Sequence, residues 1–455
     1  MPKLFGTSGI RGIANREVTS ELALKVGLAL ATYIENGNFL VARDTRVSGE
    51  MIENALTAGI LAGGANANKL GIAPTPALAF LTKKHGLNAG VMITASHNPP
   101  EYNGIKIFNS DSTGLNEKQQ EEIEKIMEHE NFRLAEWNKI GKCVDVKYWI
   151  KDYIHQILGS LSFKKSWFVV IDPGCGATSA VAPFIFRELG CKVRALNAQP
   201  DGFFPGRSSL PDRESLKPLG SVVRELKADV GIAYDGDGDR VVFIDENGNF
   251  VSLDQSLALY AAYVIEKNRG GTVVTHVEAS MCVEDTVEKL GGKVLRTKVG
   301  DVSIANAMKN CGAVFGGEPC GAWIHPEHHF CPDGILSSVL FLKMLDEKDA
   351  KLSELISQVP SYPILREKVE CPNNFKETVM RKVESKIAEV FPDFKDKITV
   401  DGVRLSLSDG WILIRPSGTE PVIRITAEAR DYTVADEIMQ KTLVFVNRLV
   451  REAKS

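Results

Sequence analysis

The sequence lacks a long apolar run, and this absence argues against a membrane-spanning helix. Its longest apolar run, Leu257 to Ile265, has about half of the ~20 residues that a span requires. The first residues carry one lysine followed by glycine, serine and threonine in place of an apolar segment, so they do not match a secretory signal. We therefore expect a soluble, cytoplasmic protein.

Runs of one charge and paired cysteines are also missing. Lys+Arg number 54 against 58 Asp+Glu, for a formal net charge of -4, and no basic run stands out. This balance predicts no nucleic-acid partner and no membrane partner. The eight cysteines form no C-x-x-C pair, which argues against a zinc module or a disulfide framework. No phosphate-loop or dinucleotide fingerprint is present, which argues against bound ATP or NAD.

The chain repeats one pattern three times, a short β-branched strand followed by a polar or glycine loop and a helix. The strands are 39–43, 167–171 and 272–275, spaced by about 100 to 130 residues. Such alternation builds parallel α/β layers, whereas the tail mixes antiparallel strands with helices. We predict three α/β domains of one topology and a fourth α+β domain, with boundaries at 1–145, 146–252, 253–362 and 363–455.

Two connecting segments follow from the same reading. Residues 144–158 have helical periodicity and predict a helix that enters the second domain. Residues 358–372 contain three prolines and predict an irregular linker before the fourth domain.

The segment TASHNPPEYNGIK, residues 94–106, carries the most informative chemistry. It follows a strand-like run, and its two prolines prevent a helix, so Ser96 is expected on an exposed loop at the carboxyl end of a strand. Open α/β sheets bind ligands at that end. A hydroxyl near His97 and Lys106 fits a nucleophile or a phosphate carrier. An ordinary surface turn is the alternative.

The segment DGDGDR, residues 235–240, places three carboxylates at alternate positions. In extended chain Asp235, Asp237 and Asp239 point to one side, and such close like charges require a cation. Oxygen ligands suit Mg²⁺ or Mn²⁺. An EF-hand is one alternative, but it requires glycine where Arg240 stands. A solvated acidic turn is the other.

Three glycine-rich loops complete the set of candidates. Residues 6–12 present Arg11, and residues 316–323 present Glu318. Residues 415–421 combine Arg415 with two hydroxyls and flexible backbone N–H groups, which fits a phosphate cradle. Residues 316–323 alone are compatible with an ordinary turn.

Taken together and in this order, the motifs resemble the α-D-phosphohexomutase family of phosphoglucomutases, phosphomannomutases and phosphoglucosamine mutases. The resemblance covers essentially the whole chain, and TASHNPPEYNGIK with DGDGDR is highly specific. It implies three α/β domains of one topology and a fourth α+β domain around a central cleft. This agrees with the domain pattern predicted above.

The resemblance also implies roles for individual residues. Ser96 would be the phosphoserine, and a phosphoryl oxygen on it would join Asp235, Asp237 and Asp239 in holding one Mg²⁺. Arg11, Lys106 and Arg240 would surround the transferring phosphate, with His97 beside the serine. Glu318 and Cys320 would contact the sugar. The non-reacting phosphate would bind Arg415, Ser417, Gly418 and Thr419.

The implied activity is the interconversion of hexose 6-phosphate and hexose 1-phosphate through a bisphosphate intermediate, with a hexose 1,6-bisphosphate as an activator. The sugar loop departs from the usual pattern, because Cys320 and Ala322 replace a serine and a histidine. Asp301 is expected to face a 2-amino group, which favours glucosamine phosphate over glucose and mannose phosphates. The alternatives are a sugar-phosphate phosphatase and a non-catalytic phosphosugar-binding protein.

Overall fold

The computed structural model describes residues 4–6, 9–159, 161–418 and 420–454. The first domain is built on a six-stranded sheet of order β1-β5-β4-β2-β3-β6. Its elements are β1 Ile10–Ile13, α1 Ser20–Tyr33, β2 Asn38–Arg43, α2 Gly49–Ala62, β3 Asn66–Ile72, α3 Thr75–Lys84, β4 Ala89–Ile93, β5 Tyr102–Asn109, α4 Glu117–Glu128 and β6 Cys143–Asp145.

The second and third domains each contain a four-stranded sheet. The second comprises α5 Ile150–Leu158, β7 Phe168–Asp172, α6 Ala182–Glu188, β8 Lys192–Ala195, α7 Lys217–Leu226, β9 Val230–Tyr234 and β10 Val241–Ile244. The third comprises α8 Leu253–Asn268, β11 Gly271–His276, α9 Cys282–Val287, β12 Gly292–Thr297, α10 Asp301–Cys311, β13 Phe315–Gly317, β14 Trp323–Ile324, α11 Gly334–Lys348 and α12 Leu352–Ile356.

The three sheets share one strand arrangement. In each, a central strand (β2, β7 or β11) has parallel partners on both sides. A short turn then leads from the third parallel strand into an antiparallel fourth strand, β5, β10 or β14. The prediction of three domains of one topology is confirmed.

The fourth domain is an antiparallel sheet of order β15-β19-β18-β17-β16 with two helices. Its elements are β15 Ile364–Glu370, α13 Asn373–Val390, β16 Asp396–Ile398, β17 Val403–Ser406, β18 Gly410–Pro416, β19 Val422–Ala429 and α14 Tyr432–Lys454. The predicted α+β character is therefore confirmed.

Two predicted segments differ in part from the structure. The helix predicted over 144–158 is confirmed for Ile150–Leu158, whereas Cys143–Asp145 pairs in parallel with β3. The expected linker 358–372 contains the strand β15, which pairs with β19 along its whole length. Periodicity along the chain did not reveal either strand, since both depend on a partner distant in sequence.

The apolar core joins the first three domains. One cluster of buried side chains includes residues of α3, β7, α8 and α11, whereas the fourth domain has a separate core around α13 and α14. A smaller cluster of Val277, Trp411 and Leu413 connects the third domain to the fourth. Among the helices of the described residues, none combines the length and the apolar character that a membrane crossing needs.

Candidate active site

The three most informative motifs occupy equivalent turns of the three α/β domains. Ser96 lies between β4 and β5, the acidic triad lies between β9 and β10, and Glu318 lies between β13 and β14. In every case the turn joins the third parallel strand to the antiparallel fourth strand. The repeated topology therefore places candidate functional side chains from three distant segments at the equivalent end of each sheet.

The predicted loop is confirmed and is exposed from Pro99 to Glu101, but Ser96 itself is buried, so the predicted exposure of the serine was wrong. Its Oγ donates a hydrogen bond of 2.7 Å to Oδ2 of Asp235 and lies 3.3 Å from Nδ1 of His97. The acidic loop covers the serine so closely that a Cβ on Gly236 would lie 2.5 Å from the Ser96 carbonyl oxygen. The loop itself is strained, because Ser96 has a φ of 52°.

The Ser96 loop is folded around the guanidinium of Arg46, a residue that the sequence motifs did not single out. Arg46 is fully buried. Its five N–H groups donate hydrogen bonds to the Asp44 carboxylate and to the carbonyl oxygens of Ser96, Asn98, Pro99 and Tyr102. No donor is left over, because arginine has five. The only sequence signal was the Asp-Thr-Arg turn after β2.

We expect Arg46→Lys to lower kcat by roughly one to two powers of ten with a smaller change in KM, because lysine cannot reach all five acceptors and Ser96 would shift. Steady-state kinetics and a thermal unfolding midpoint measure the two effects. Arg404→Lys is the matched control, since Arg404 is also buried, stacked on Trp411 in the fourth domain. Equal losses of kcat in both variants would contradict a positioning role.

The three aspartates of the acidic loop form a candidate metal site. One ligand oxygen from each lies within 4.8 Å of the others, and all three side chains are buried. One oxygen each of Asp237 and Asp239 is buried and has no hydrogen-bond partner among the described residues. Such orphaned oxygens fit a hard cation that takes oxygen ligands.

The EF-hand alternative is wrong, because strand β10 carries Glu246 away from the triad to the backbone N–H of Ser353.

Lys106 connects the serine loop to the acidic loop. Its Nζ donates to Oδ2 of Asp237 at 2.8 Å and to Oδ2 of Asp239 at 2.7 Å. Burial opposes the charge of Lys106, but the two carboxylates raise its pKa. Burial likewise opposes ionisation of Asp237, yet Lys106 holds the pKa of Asp237 below its usual range. For Asp235, burial and the charges of Asp239 and Asp237 raise the pKa.

Further cationic groups surround the serine. Arg11 donates to Oδ1 of Asn98 at 3.1 Å, and Nε of Arg240 lies 3.8 Å from Oδ1 of Asp239. The Nε groups of both arginines are buried without a hydrogen-bond partner among the described residues. Burial together with the charges of Arg240 and Arg11 lowers the pKa of His97 to about 3, so this ring is neutral. The surroundings of Ser96 are therefore suited to a phosphoryl group.

The Glu318 turn faces the same site from the third domain. Its Oε1 accepts from the backbone N–H of Gly300 at 3.0 Å, and its Oε2 lies 3.7 Å from Sγ of Cys320. Burial and the nearby Asp301 raise the pKa of Glu318 to about 7, and burial raises the pKa of the Cys320 thiol to about 12. Asp301 begins α10, and its Oδ1 is buried with no partner in the described part of the chain.

The predicted phosphate cradle lies at the end of β18. Arg415 is paired with two carboxylates, Asp401 at 3.0 Å and Glu278 at 2.5 Å. Ser417 is buried, and its Oγ accepts from the backbone N–H of Glu420. The space beside Gly418 is open. Thr419 lies outside the described residues.

The arrangement suits phosphoryl transfer. A buried hydroxyl contacts one of three carboxylates that together are able to hold a cation, and Lys106, Arg11 and Arg240 supply positive charge nearby. Phosphoryl transfer requires positioning and neutralisation of charge more than covalent chemistry.

Comparison with known proteins agrees with this chemistry. Models described as phosphoglucomutase/phosphomannomutase alpha/beta/alpha domains I, II and III match residues 2–134, 151–248 and 252–362, and the model of the C-terminal domain matches 367–443. The chain belongs to this family. The chain is 47% identical to a protein of Pyrococcus furiosus named "Probable phosphoglucosamine mutase", over 456 residues that cover 100% of both chains.

Other relatives extend the comparison. A protein of Methanopyrus kandleri with the same name is 46% identical over 455 residues, again covering 100% of both chains. The crystal structure of a phosphoglucomutase/phosphomannomutase family protein from Burkholderia thailandensis aligns with a TM-score of 0.88 at 25% identity, covering 99% of this chain and 98% of that chain.

These similarities confirm the predicted family, the four-domain fold and an isomerase that moves a phosphoryl group between positions of a phosphosugar. They do not favour a phosphatase or a non-catalytic binding protein. The acidic triad is able to hold a metal ion. The domain boundaries and the roles of individual site residues remain predictions.

Proposed function

We propose that this phosphohexomutase is a phosphoglucosamine mutase that interconverts glucosamine 6-phosphate and glucosamine 1-phosphate through a phosphoserine at Ser96. The observation that carries the mechanism is the contact of Ser96 Oγ with Asp235, beside the orphaned oxygens of Asp237 and Asp239. The names of the two relatives quoted above, at 46% and 47% identity, support the choice of sugar.

In the proposed cycle the bond between phosphorus and Ser96 Oγ breaks while a bond forms to a free hydroxyl of the phosphosugar. The hydroxyl loses a proton and Ser96 Oγ gains one, and Asp235 accepts the resulting serine O–H as a hydrogen bond. Lys106, Arg11 and Arg240 offset the charge of the moving phosphoryl group. The bisphosphate then turns around, and its other phosphate returns to Ser96.

We propose Mg²⁺ as the metal, held by Asp235, Asp237, Asp239 and an oxygen on Ser96. A bound divalent cation would neutralise charge on the phosphoryl oxygens. The four ligands are all oxygens, which is the donor set that Mg²⁺ prefers. A hexose 1,6-bisphosphate would activate the enzyme by phosphorylating Ser96.

The substrate is tested by a panel of 1- and 6-phosphates of glucosamine, glucose, mannose and N-acetylglucosamine, assayed for isomerisation with Mg²⁺. We expect the highest kcat/KM with glucosamine phosphate. Release of free phosphate without isomer, or a clear preference for glucose or mannose phosphate, would overturn this assignment.

We also propose that Arg415, Ser417, Gly418 and Thr419 bind the phosphate that does not react. Arg415→Ala should raise KM strongly and lower kcat/KM by roughly one to two powers of ten, because it deletes a charge-assisted contact that persists through the chemical step. Steady-state kinetics with a 1-phosphate measure the effect.

The matched control for Arg415→Ala is Arg424→Ala. Arg424 is the cross-strand neighbour of Arg415, but it is half exposed and pairs with Glu420. We expect the KM of Arg424→Ala to stay near the wild-type value. An unchanged KM in Arg415→Ala would contradict the proposal that the fourth domain binds the non-reacting phosphate.

A further inference from the structure

The arginine of the phosphate cradle lies between two acidic side chains. Nη1 of Arg415 lies 2.5 Å from Oε1 of Glu278, and its Nε lies 3.0 Å from Oδ1 of Asp401. Two carboxylates therefore lie directly against the one guanidinium of Arg415. Nearby carboxylates weaken the binding of an anion, so a cradle for a simple phosphate ester gains nothing from them.

The Glu278 carboxylate makes one contact across the junction of the third and fourth domains, the ion pair with Arg415. Asp401 also accepts a hydrogen bond from the backbone N–H of Val299, which ties the third domain to the fourth. Within the described residues, by contrast, Arg415 is the only side chain that the Glu278 carboxylate contacts. The Glu278 side chain is 38% exposed, so it is accessible to a ligand on the cradle.

The backbone of Glu278 is held in place beside the cradle. Its N–H donates to Nδ1 of His276 at 3.1 Å. Two residues later, the hydroxyl of Ser280 and the backbone N–H of Met281 both donate to the buried carboxylate of Glu428 in the fourth domain. The carboxylate of Glu278 is therefore presented to the cradle from a rigid turn at the junction of the third and fourth domains.

We propose that Glu278 is a specificity residue that binds the 2-ammonium group of glucosamine 1-phosphate while the phosphate of this substrate lies on Arg415. In this substrate the amino group stands on the carbon next to the one that carries the phosphate. A ligand with a cation beside its phosphate matches an arginine beside a carboxylate, whereas glucose 1-phosphate offers Glu278 only a neutral hydroxyl. The inference rests on the proposed function and assigns recognition of the amino sugar to the cradle end of the site.

The reverse orientation requires a second carboxylate. When the 6-phosphate lies on the cradle, the amino group moves to the end of the sugar that faces Ser96. Asp301 is available there, since it lies near Lys106 and its buried Oδ1 lacks a partner among the described residues. The two carboxylates would thus serve the two orientations of one substrate.

The test compares Glu278→Gln with the wild type on glucosamine 1-phosphate and glucose 1-phosphate at about pH 7, where the amine is largely protonated. We expect the ratio of kcat/KM for glucosamine 1-phosphate over glucose 1-phosphate to fall about tenfold, the scale of one charge-assisted contact. N-acetylglucosamine 1-phosphate has no charge at this position, so any rate with it should not fall. Asp401→Asn is the matched control, because it removes the other partner of Arg415 and should change both sugars by a similar factor.

The outcomes separate the two proposals. A wild type that does not convert glucosamine phosphate overturns the proposed substrate and this inference with it. A wild type that converts it, together with an unchanged ratio in Glu278→Gln, overturns only the role of Glu278. A ratio that falls as far in Asp401→Asn as in Glu278→Gln would show a general effect of charge and would also overturn the specific contact.

Discussion

Replacing Ser96 by alanine should reduce turnover by several powers of ten while the protein stays folded. If Ser96 carries the phosphoryl group, its Oγ, which contacts Asp235, would be the atom bonded to phosphorus, and no other side chain could replace it. Loss of a covalent nucleophile is among the largest effects of a single substitution in an enzyme. Intact-mass measurement should show one added phosphate on the wild type and none on Ser96→Ala.

The change in stability should be small by comparison. Ser96→Ala removes the buried hydrogen bond to Asp235 and the longer contact with His97, a cost of about 1 to 3 kcal/mol, so the thermal midpoint should fall only modestly. Ser179→Ala is the matched control, since Ser179 is a buried serine in the second domain that donates only to the carbonyl of Gly176 among the described residues. The control should keep activity and phosphate. Near-normal activity in Ser96→Ala would contradict the proposed phosphoserine mechanism.

The sequence predicted the domain fold well because its signals are local. The opening strand of each repeat and the helix after it could be found from β-branched runs, glycine loops and helical periodicity. The strands β6 and β15 were missed for the opposite reason. Their pairing partners β3 and β19 are far away along the chain, and nothing within the segments indicates them.

Residue types in the site were also predictable, whereas their burial was not. Ser96 follows a strand and precedes two prolines, which predicts a loop. Whether that loop is exposed depends on the Gly236 turn of another domain, which packs directly on the Ser96 backbone. The sequence therefore predicted where Ser96 lies in the first domain, but it did not predict that a loop of the second domain buries this serine.

Supporting residues were the hardest to predict. Arg46 binds four backbone carbonyls, and a carbonyl has no signature in a sequence. The counter-charges of Arg415 were missed for a related reason, because Glu278 and Asp401 come from separate domains and meet only after folding. The motifs indicate which side chains could react or bind substrate. The side chains that position them can be identified only from the folded structure.

Removal of divalent cations should abolish activity, and Mg²⁺ should restore it. The expectation comes from the acidic triad, in which Lys106 and Thr75 pair with one oxygen of Asp237 and leave the other oxygen buried without a partner in the described residues. A buried carboxylate oxygen without a donor is costly, and a cation offsets that cost. EDTA treatment followed by titration with Mg²⁺ measures the loss and the recovery of turnover.

Asp237→Asn tests the site itself and has a readout that does not depend on turnover. The variant keeps the shape of the side chain but gives up a full negative charge at a site without nitrogen or sulfur ligands, so divalent-cation affinity should fall at least about tenfold. Calorimetric titration with Mg²⁺, or binding of Mn²⁺ followed by electron paramagnetic resonance, measures the affinity directly. Asp245→Asn is the matched control, because Asp245 is a buried carboxylate at the far end of β10 that caps the backbone N–H groups of Asn247 and Asn249. It should leave metal affinity unchanged, and equal affinity in Asp237→Asn and the wild type would show that the metal binds elsewhere.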